Sequence, residues 1–240
     1  MIRVENFHKT YGPTVAVSGL SFDVQPGQIL GLLGPNGAGK TTTMRAIAGV
    51  IPPTHGYLLV SGYDVVRDPI PAKRQLAYVP DDPRLFESLT VWEHLVFIAA
   101  AYRVQDFEPR AEQLLAQFEL TEKRDTLAQE LSRGMRQKVA ICCAYLYEPQ
   151  AILFDEPLTG LDPRGIRTLK ASVVERARAG AAIVISSHLL ALVEDLCTHV
   201  LILAGGVQRF FGPVDVLRTS YEQVDADASL EDIFFAATAT

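Results

Sequence analysis

The chain has 240 residues, of which 48% are hydrophobic and 21% charged, with a formal net charge of −6 and a pI near 5.4. Such a length holds one large domain or two small ones with a real core, and the acidic balance argues against a broad nucleic-acid-binding face. Apolar runs such as 139–147 fall short of the ~18–20 residues of a membrane span, and the charged start, Met1-Ile2-Arg3-Val4-Glu5, has no signal-peptide core. Cys142, Cys143 and Cys197 form neither a disulfide framework nor a CxxC metal pattern, and read as buried apolar residues in a reducing compartment. A soluble, cytosolic chain is expected, and any membrane it serves belongs to a partner.

In chain order, residues 2–7 alternate and are β-prone, and 20–24 form a second candidate strand. Tyr11-Gly12-Pro13 lies between them; the Tyr11 ring either covers a strand end or offers an adenine a face to stack on. Pro26-Gly27 marks a turn, and the apolar run Ile29-Leu30-Gly31-Leu32-Leu33 reads as a buried strand. Next comes Gly34-Pro35-Asn36-Gly37-Ala38-Gly39-Lys40-Thr41-Thr42, opening a helical pattern through Met44, Ile47 and Ala48. A strand that turns through three glycines into a helix points a row of backbone N–H groups, and the helix dipole, at one spot. That spot suits phosphate, with Lys40 reaching the outer phosphates and the Thr41 hydroxyl on Mg²⁺. A glycine turn with a solvated lysine is the bland reading, and the full GxxxxGK[ST] spacing between strand and helix argues against it.

Further on, 57–60 and 76–79 read as strands, with 64–74 a loop or short helix between them. Thr90, with Glu93 three residues later, signals a helix start. A second amphipathic helix is expected over 108–118, and from 78 to about 131 the chain shows no β signal, which suggests a helical subdomain inserted into an α/β core. A helix starts in 131–138, has its body at 139–147 and ends at Pro149. The strand 151–154 then delivers Asp155-Glu156-Pro157 at its end. Pro163 opens a helix that Gly180 closes, and the strand 182–185 ends in Ser186-Ser187-His188. A helix over 189–196, a hairpin of 199–203 and 207–211 through Gly205-Gly206, and short helices at 214–218 and 230–235 complete the chain.

Ligands of open α/β sheets bind beyond the carboxyl ends of the strands. Asp155 stands there as a metal-side carboxylate for Thr41, and Glu156 one residue on is placed to polarise a water for attack on a γ-phosphate. The simpler reading of the pair is a carboxylate cap on a strand end, which the phosphate loop makes the weaker one. His188, at a third strand end, is a candidate γ-phosphate contact; taken alone, such a histidine is more often structural.

Together these pieces resemble an ATP-binding cassette (ABC) ATPase, from Tyr11 to about Gly212. The resemblance implies an α/β phosphate-loop NTPase core with a parallel central sheet, an N-terminal antiparallel β subdomain and the inserted helical subdomain. Residues 1–219 would form the ATPase domain, with the helical subdomain roughly 82–148, and 220–240 a short C-terminal extension. By the same likeness Tyr11 is the adenine-stacking aromatic, 34–42 the Walker A loop, 152–156 Walker B and His188 the switch histidine, with Asp162 in the loop that follows Walker B. Leu131-Ser132-Arg133-Gly134-Met135 resembles the signature motif, which the family usually writes Leu-Ser-Gly-Gly-Gln; Ser132 and Gly134 match, while Arg133 and Met135 depart. Asp81 stands where the family has Gln and is expected on the metal side. ATP and Mg²⁺ are the implied cofactors, with Thr41, Asp155 and Asp81 as metal-side groups.

In such a family the signature closes over the nucleotide of a second cassette, so a head-to-tail pairing, most simply a homodimer, is implied. The partners would be integral membrane transporter subunits docked near 82–102, with the chain cytoplasmic and peripheral on the inner face of the membrane, no nucleic acid bound, and export the favoured direction. Two competing readings are a soluble non-transport cassette acting on nucleic acid or ribosomes and a small-molecule P-loop kinase. The first would carry coiled-coil insertions, zinc cysteines or tandem cassettes, none of which is in this sequence, and the second leaves 131–135 and Glu156 unexplained.

Overall fold

A computed structural model describes residues 1–187, 190–217, 234 and 238. His188 and nearly all of the expected extension from 220 to 240 lie outside them. The continuous apolar run at Ile29–Leu33 becomes strand β3, whose five residues are all buried. Strands covered on both faces read this way, and they belong in parallel sheets. Among the described residues the main sheet has six strands. In numbering by chain order they are β3, β6 (Leu76–Val79), β7 (Ala151–Asp155), β8 (Ala182–Ser186), β9 (His199–Ala204) and β10 (Val207–Pro213). Their order is β10-β9-β3-β8-β7-β6, and only the β9–β10 hairpin is antiparallel.

Period-two alternation sorts these strands between two cores. Ile152, Phe154, Ile183 and Ile185 face a cluster shared with α3 (Val91–Tyr102), α4 (Glu108–Gln117), α5 (Arg133–Leu146) and α6 (Pro163–Arg178). Leu30, Leu32, Leu153 and Val184 face a second cluster with α1 (Lys40–Ile47) and an antiparallel sheet. That smaller sheet runs β2-β1-β4-β5, from β1 (Ile2–Tyr11), β2 (Thr14–Val24), β4 (His55–Val60) and β5 (Tyr63–Asp64). The helical segment between β6 and β7 therefore has no core of its own: Val91, Leu95 and Leu114 pack in one cluster with Phe154 and Ile185 of the sheet.

Several expected bounds move for local reasons. The first two strands extend to meet at Tyr11 and Thr14, because Gly12-Pro13 is a two-residue hairpin loop and not a break. Gly12 takes φ +55 there, and Pro13 has its φ pinned near −65°, the pattern of a primed hairpin turn. The stretch left open at 64–74 holds α2 (Pro69–Arg74), with proline at its first turn. Thr90 and Glu93 form the full capping box: Thr90 Oγ1 accepts from Glu93 N at 3.1 Å, and Glu93 Oε2 accepts from Thr90 N at 2.7 Å. The helix expected at 189–196 is described as α7 (Leu190–Leu196). Register brings the strand ends together, with Leu32 opposite Ser186 and Asp155 opposite Ser186.

Candidate nucleotide-binding and catalytic site

At that edge β3 turns into α1 through the glycine loop. Gly37 and Gly39 take φ +81 and +103, conformations a side chain resists. A Cβ on Gly39 would lie 2.8 Å from the Ala16 carbonyl oxygen of β2, so the loop is pressed against the antiparallel sheet. Lys40 Nζ donates to the carbonyls of Gly34 at 2.6 Å and Pro35 at 3.2 Å, which holds the ammonium at the mouth of the loop. Burial lowers its pKa, and the Glu156 and Asp155 carboxylates oppose that. A cleft of about 320 Å³ lies over the loop, lined by Asn36, Gly37, Ala38, Gly39, Lys40, Thr41 and Thr42 together with Asp81, Asp155, Glu156 and Ala16. That volume suits a small ligand.

Asp155 ends β7 and is 2% exposed. A buried carboxylate must be hydrogen-bonded, and this one is held from both neighbouring strands. Ser186 Oγ donates to its Oδ1 from β8, and Tyr78 Oη donates to its Oδ2 at 3.3 Å from β6. Thr41 Oγ1 donates to Oδ1 at 3.4 Å. Glu156 follows with φ +48, a left-handed backbone that costs a non-glycine residue and clusters at functional sites. Its amide donates to the Ser186 carbonyl at 3.1 Å, so the strained turn is fixed to β8.

These groups present only oxygen to the cleft, the donor type Mg²⁺ takes, and Mg²⁺ commonly uses one or two carboxylates plus substrate phosphates. Among the described residues no group of three or more His, Cys, Asp or Glu forms a cage for a metal ion. The donor set thus fits a metal arriving with a phosphate chain, held by Thr41 and Asp155.

Asp81 reaches the cleft rim, but its Oδ1 accepts from Arg133 Nη2 at 2.9 Å. Two residues that depart from the family pattern therefore pair with each other inside one chain. Ser132 caps α5, its Oγ accepting from Met135 N at 3.3 Å, and it is exposed and away from the cleft. Gly134 lies in the same turn, where a Cβ would come 2.2 Å from the Gly160 carbonyl oxygen, so close backbone approach requires a glycine. Asp162 caps α6, accepting from Gly165 N at 3.3 Å, and pairs with Lys138 at 3.2 Å. The Lys138 hydrogen bond leads the causes that lower its pKa. Asp162 does not line the cleft, and neither does Tyr11, which ends β1 half-exposed with Lys9 Nζ 5.0 Å from its ring centroid. Gly34 and Pro35 support the loop from below through their carbonyls. Tyr78 and Ser186 are the site residues that sequence reasoning missed. Nothing in their own stretches marks them; the register of β6, β7 and β8 brings them to Asp155.

A second concavity, an apolar groove of about 380 Å³, opens on the helical side between Pro83, Phe86, Phe97, Ile98 and Tyr147. Phe86 and Phe97 are 55% and 49% exposed, and their rings meet edge to face at 5.3 Å. No helix among the described residues is long and apolar enough to cross a membrane.

A phosphate loop facing strand-end carboxylates, with helices inserted between β6 and β7, defines a phosphate-loop nucleoside triphosphatase of the cassette type. Residues 17–159 match the family model described as ABC transporter. The ABC-type transporter ATP-binding protein EcsA of Bacillus subtilis (strain 168) is 36% identical over 240 residues, 99% of this chain and 96% of that protein. The lipopolysaccharide export system ATP-binding protein LptB of Haemophilus influenzae is 33% identical over 211 residues, 86% and 88% of the two chains. A solved structure of an ATP-binding subunit of an ABC transporter superposes with a TM-score of 0.94 at 35% identity, covering 99% of both chains. The chain belongs to the ABC transporter family, as one of its ATP-binding, ATP-hydrolysing subunits.

Proposed function

We propose that the cleft binds ATP with Mg²⁺ and hydrolyses it at the β–γ bond, and that the chain does so paired head to tail with a second cassette. The observation that carries this reading is the juxtaposition of Lys40, the Thr41–Asp155 contact at 3.4 Å and Glu156 in one cleft. Lys40 and the loop amides bind the phosphates, and Thr41 and Asp155 hold the metal side. Mg²⁺, when bound, neutralises charge developing on the phosphate oxygens. Glu156 accepts a proton from the attacking water as its oxygen bonds to the γ-phosphorus and the bond to the ADP oxygen breaks. His188 is assigned to the γ-phosphate on the family likeness, and so is Tyr11 to the adenine. Asp81 is assigned to the metal side as an outer group.

The outward placement of Ser132 and Gly134, at a helix N-terminus away from their own cleft, supports their use on the nucleotide of the facing cassette. The apolar groove beside α3 suits a short cytoplasmic helix of an integral membrane subunit, which would seat the chain on the inner face of the membrane. We assign 82–148 as the helical unit that carries this surface. Export is the direction we favour, from the likeness to an export-system subunit and the Gly-Met-Arg-Gln-Lys form of the signature. The test is Glu156→Gln: with ATP and Mg²⁺ it should bind without turnover and run as a dimer on gel filtration. A variant that stays monomeric at saturating ATP overturns the pairing. Recovery of a polytopic membrane protein in mild detergent supports transport, and recovery of nucleic acid instead refutes it.

A further inference from the structure

Tyr78 occupies a position that the chemistry described above does not use. It belongs to β6, opposite Leu153 of β7, and is one of the residues that line the apolar groove. Its hydroxyl donates to Asp155 Oδ2 at 3.3 Å. An ionised carboxylate only accepts, so the phenolic proton of Tyr78 points at Asp155.

We propose that Tyr78 is a positioning residue for the metal-side carboxylate, holding Asp155 so that Oδ1 faces Thr41. The proposal rests on the reading of the cleft as a Mg²⁺-nucleotide site. A carboxylate on a free strand end rotates about its Cα–Cβ and Cβ–Cγ bonds, and a metal ligand that rotates binds more weakly. Here Ser186 fixes one oxygen from β8 and Tyr78 the other from β6, so both rotations are stopped. Tyr78 also lines the apolar groove, so one residue stands between the groove and Asp155.

The test is Tyr78→Phe, which keeps the ring and removes the hydroxyl. Equilibrium binding of a fluorescent ATP analogue to the full chain is measured in EDTA and across a Mg²⁺ titration. In EDTA the variant should stay within about twofold of wild type, because Lys40 and the loop are untouched. Its half-saturating Mg²⁺ should rise about three- to tenfold, the effect of one lost hydrogen bond. Tyr145→Phe is the comparison: it loses a buried hydroxyl contact to Ser172 at 3.0 Å, away from the cleft, and should keep the wild-type Mg²⁺ dependence. An unchanged Mg²⁺ midpoint in Tyr78→Phe, or an equal shift in Tyr145→Phe, overturns the positioning role. An equal loss in EDTA also overturns it, because the damage would then lie in the loop. Wild-type protein that binds no nucleotide overturns the reading of the cleft itself.

Discussion

Lys40 is a charge kept partly out of water by carbonyls that cannot neutralise it. Its contacts to Gly34 and Pro35 are hydrogen bonds to neutral oxygens, and only Glu156 and Asp155 offset the cost of burial. A phosphate chain supplies the missing opposite charge. Lys40→Ala should therefore weaken ATP binding about 10- to 100-fold, the range for hydrogen bonds to charged groups, as read by calorimetric titration. Arg133 is a contrasting case. It and Asp81 are 44% and 48% exposed, so Arg133→Met should change the free energy of unfolding in urea by under ~1 kcal/mol. At this scale the sequence showed the loop residues and the Asp155-Glu156 pair, because their spacing along the chain is itself the signal. It did not show the Asp81–Arg133 bond, which joins positions 52 residues apart, or the grip of Ser186 on Asp155 across a strand pair.

Among the elements, two helix starts show how much local sequence can decide. The Thr90–Glu93 box was legible as a spacing of three, and it stands in the structure with both hydrogen bonds made. Thr90→Ala should cost about 1 kcal/mol in chemical denaturation. The start of α5 obeys a constraint no spacing reveals, since Gly134 meets the Gly160 carbonyl from a different turn. Gly134→Ala puts a Cβ 2.2 Å from that oxygen and forces those turns apart, and should cut ATP turnover well below wild type while the far-UV spectrum is retained. The Gly12-Pro13 hairpin was hidden for another reason: Gly-Pro also punctuates breaks, and only pairing of Tyr11 with Thr14 distinguishes the two.

At the scale of the molecule, the helices between β6 and β7 and the main sheet share one apolar cluster. Leu95 of α3 is fully buried in it, far along the chain from Ile185. Leu95→Ala should destabilise the protein by about 2–5 kcal/mol, and fluorescence and circular dichroism should report one coincident urea transition. A separate early transition for the helices would show that the shared cluster does not couple them. The turn that carries Ser132 outward is fastened to the rim of its own cleft through Arg133 to Asp81, and to the loop after β7 through Gly134 against Gly160. Thermodynamic reciprocity then sets a quantitative demand. If a filled cleft makes that turn hold a neighbouring molecule more firmly, the neighbour must raise the cleft's affinity by the same factor. The ATP concentration that half-fills Glu156→Gln should accordingly fall as the protein itself is made more concentrated.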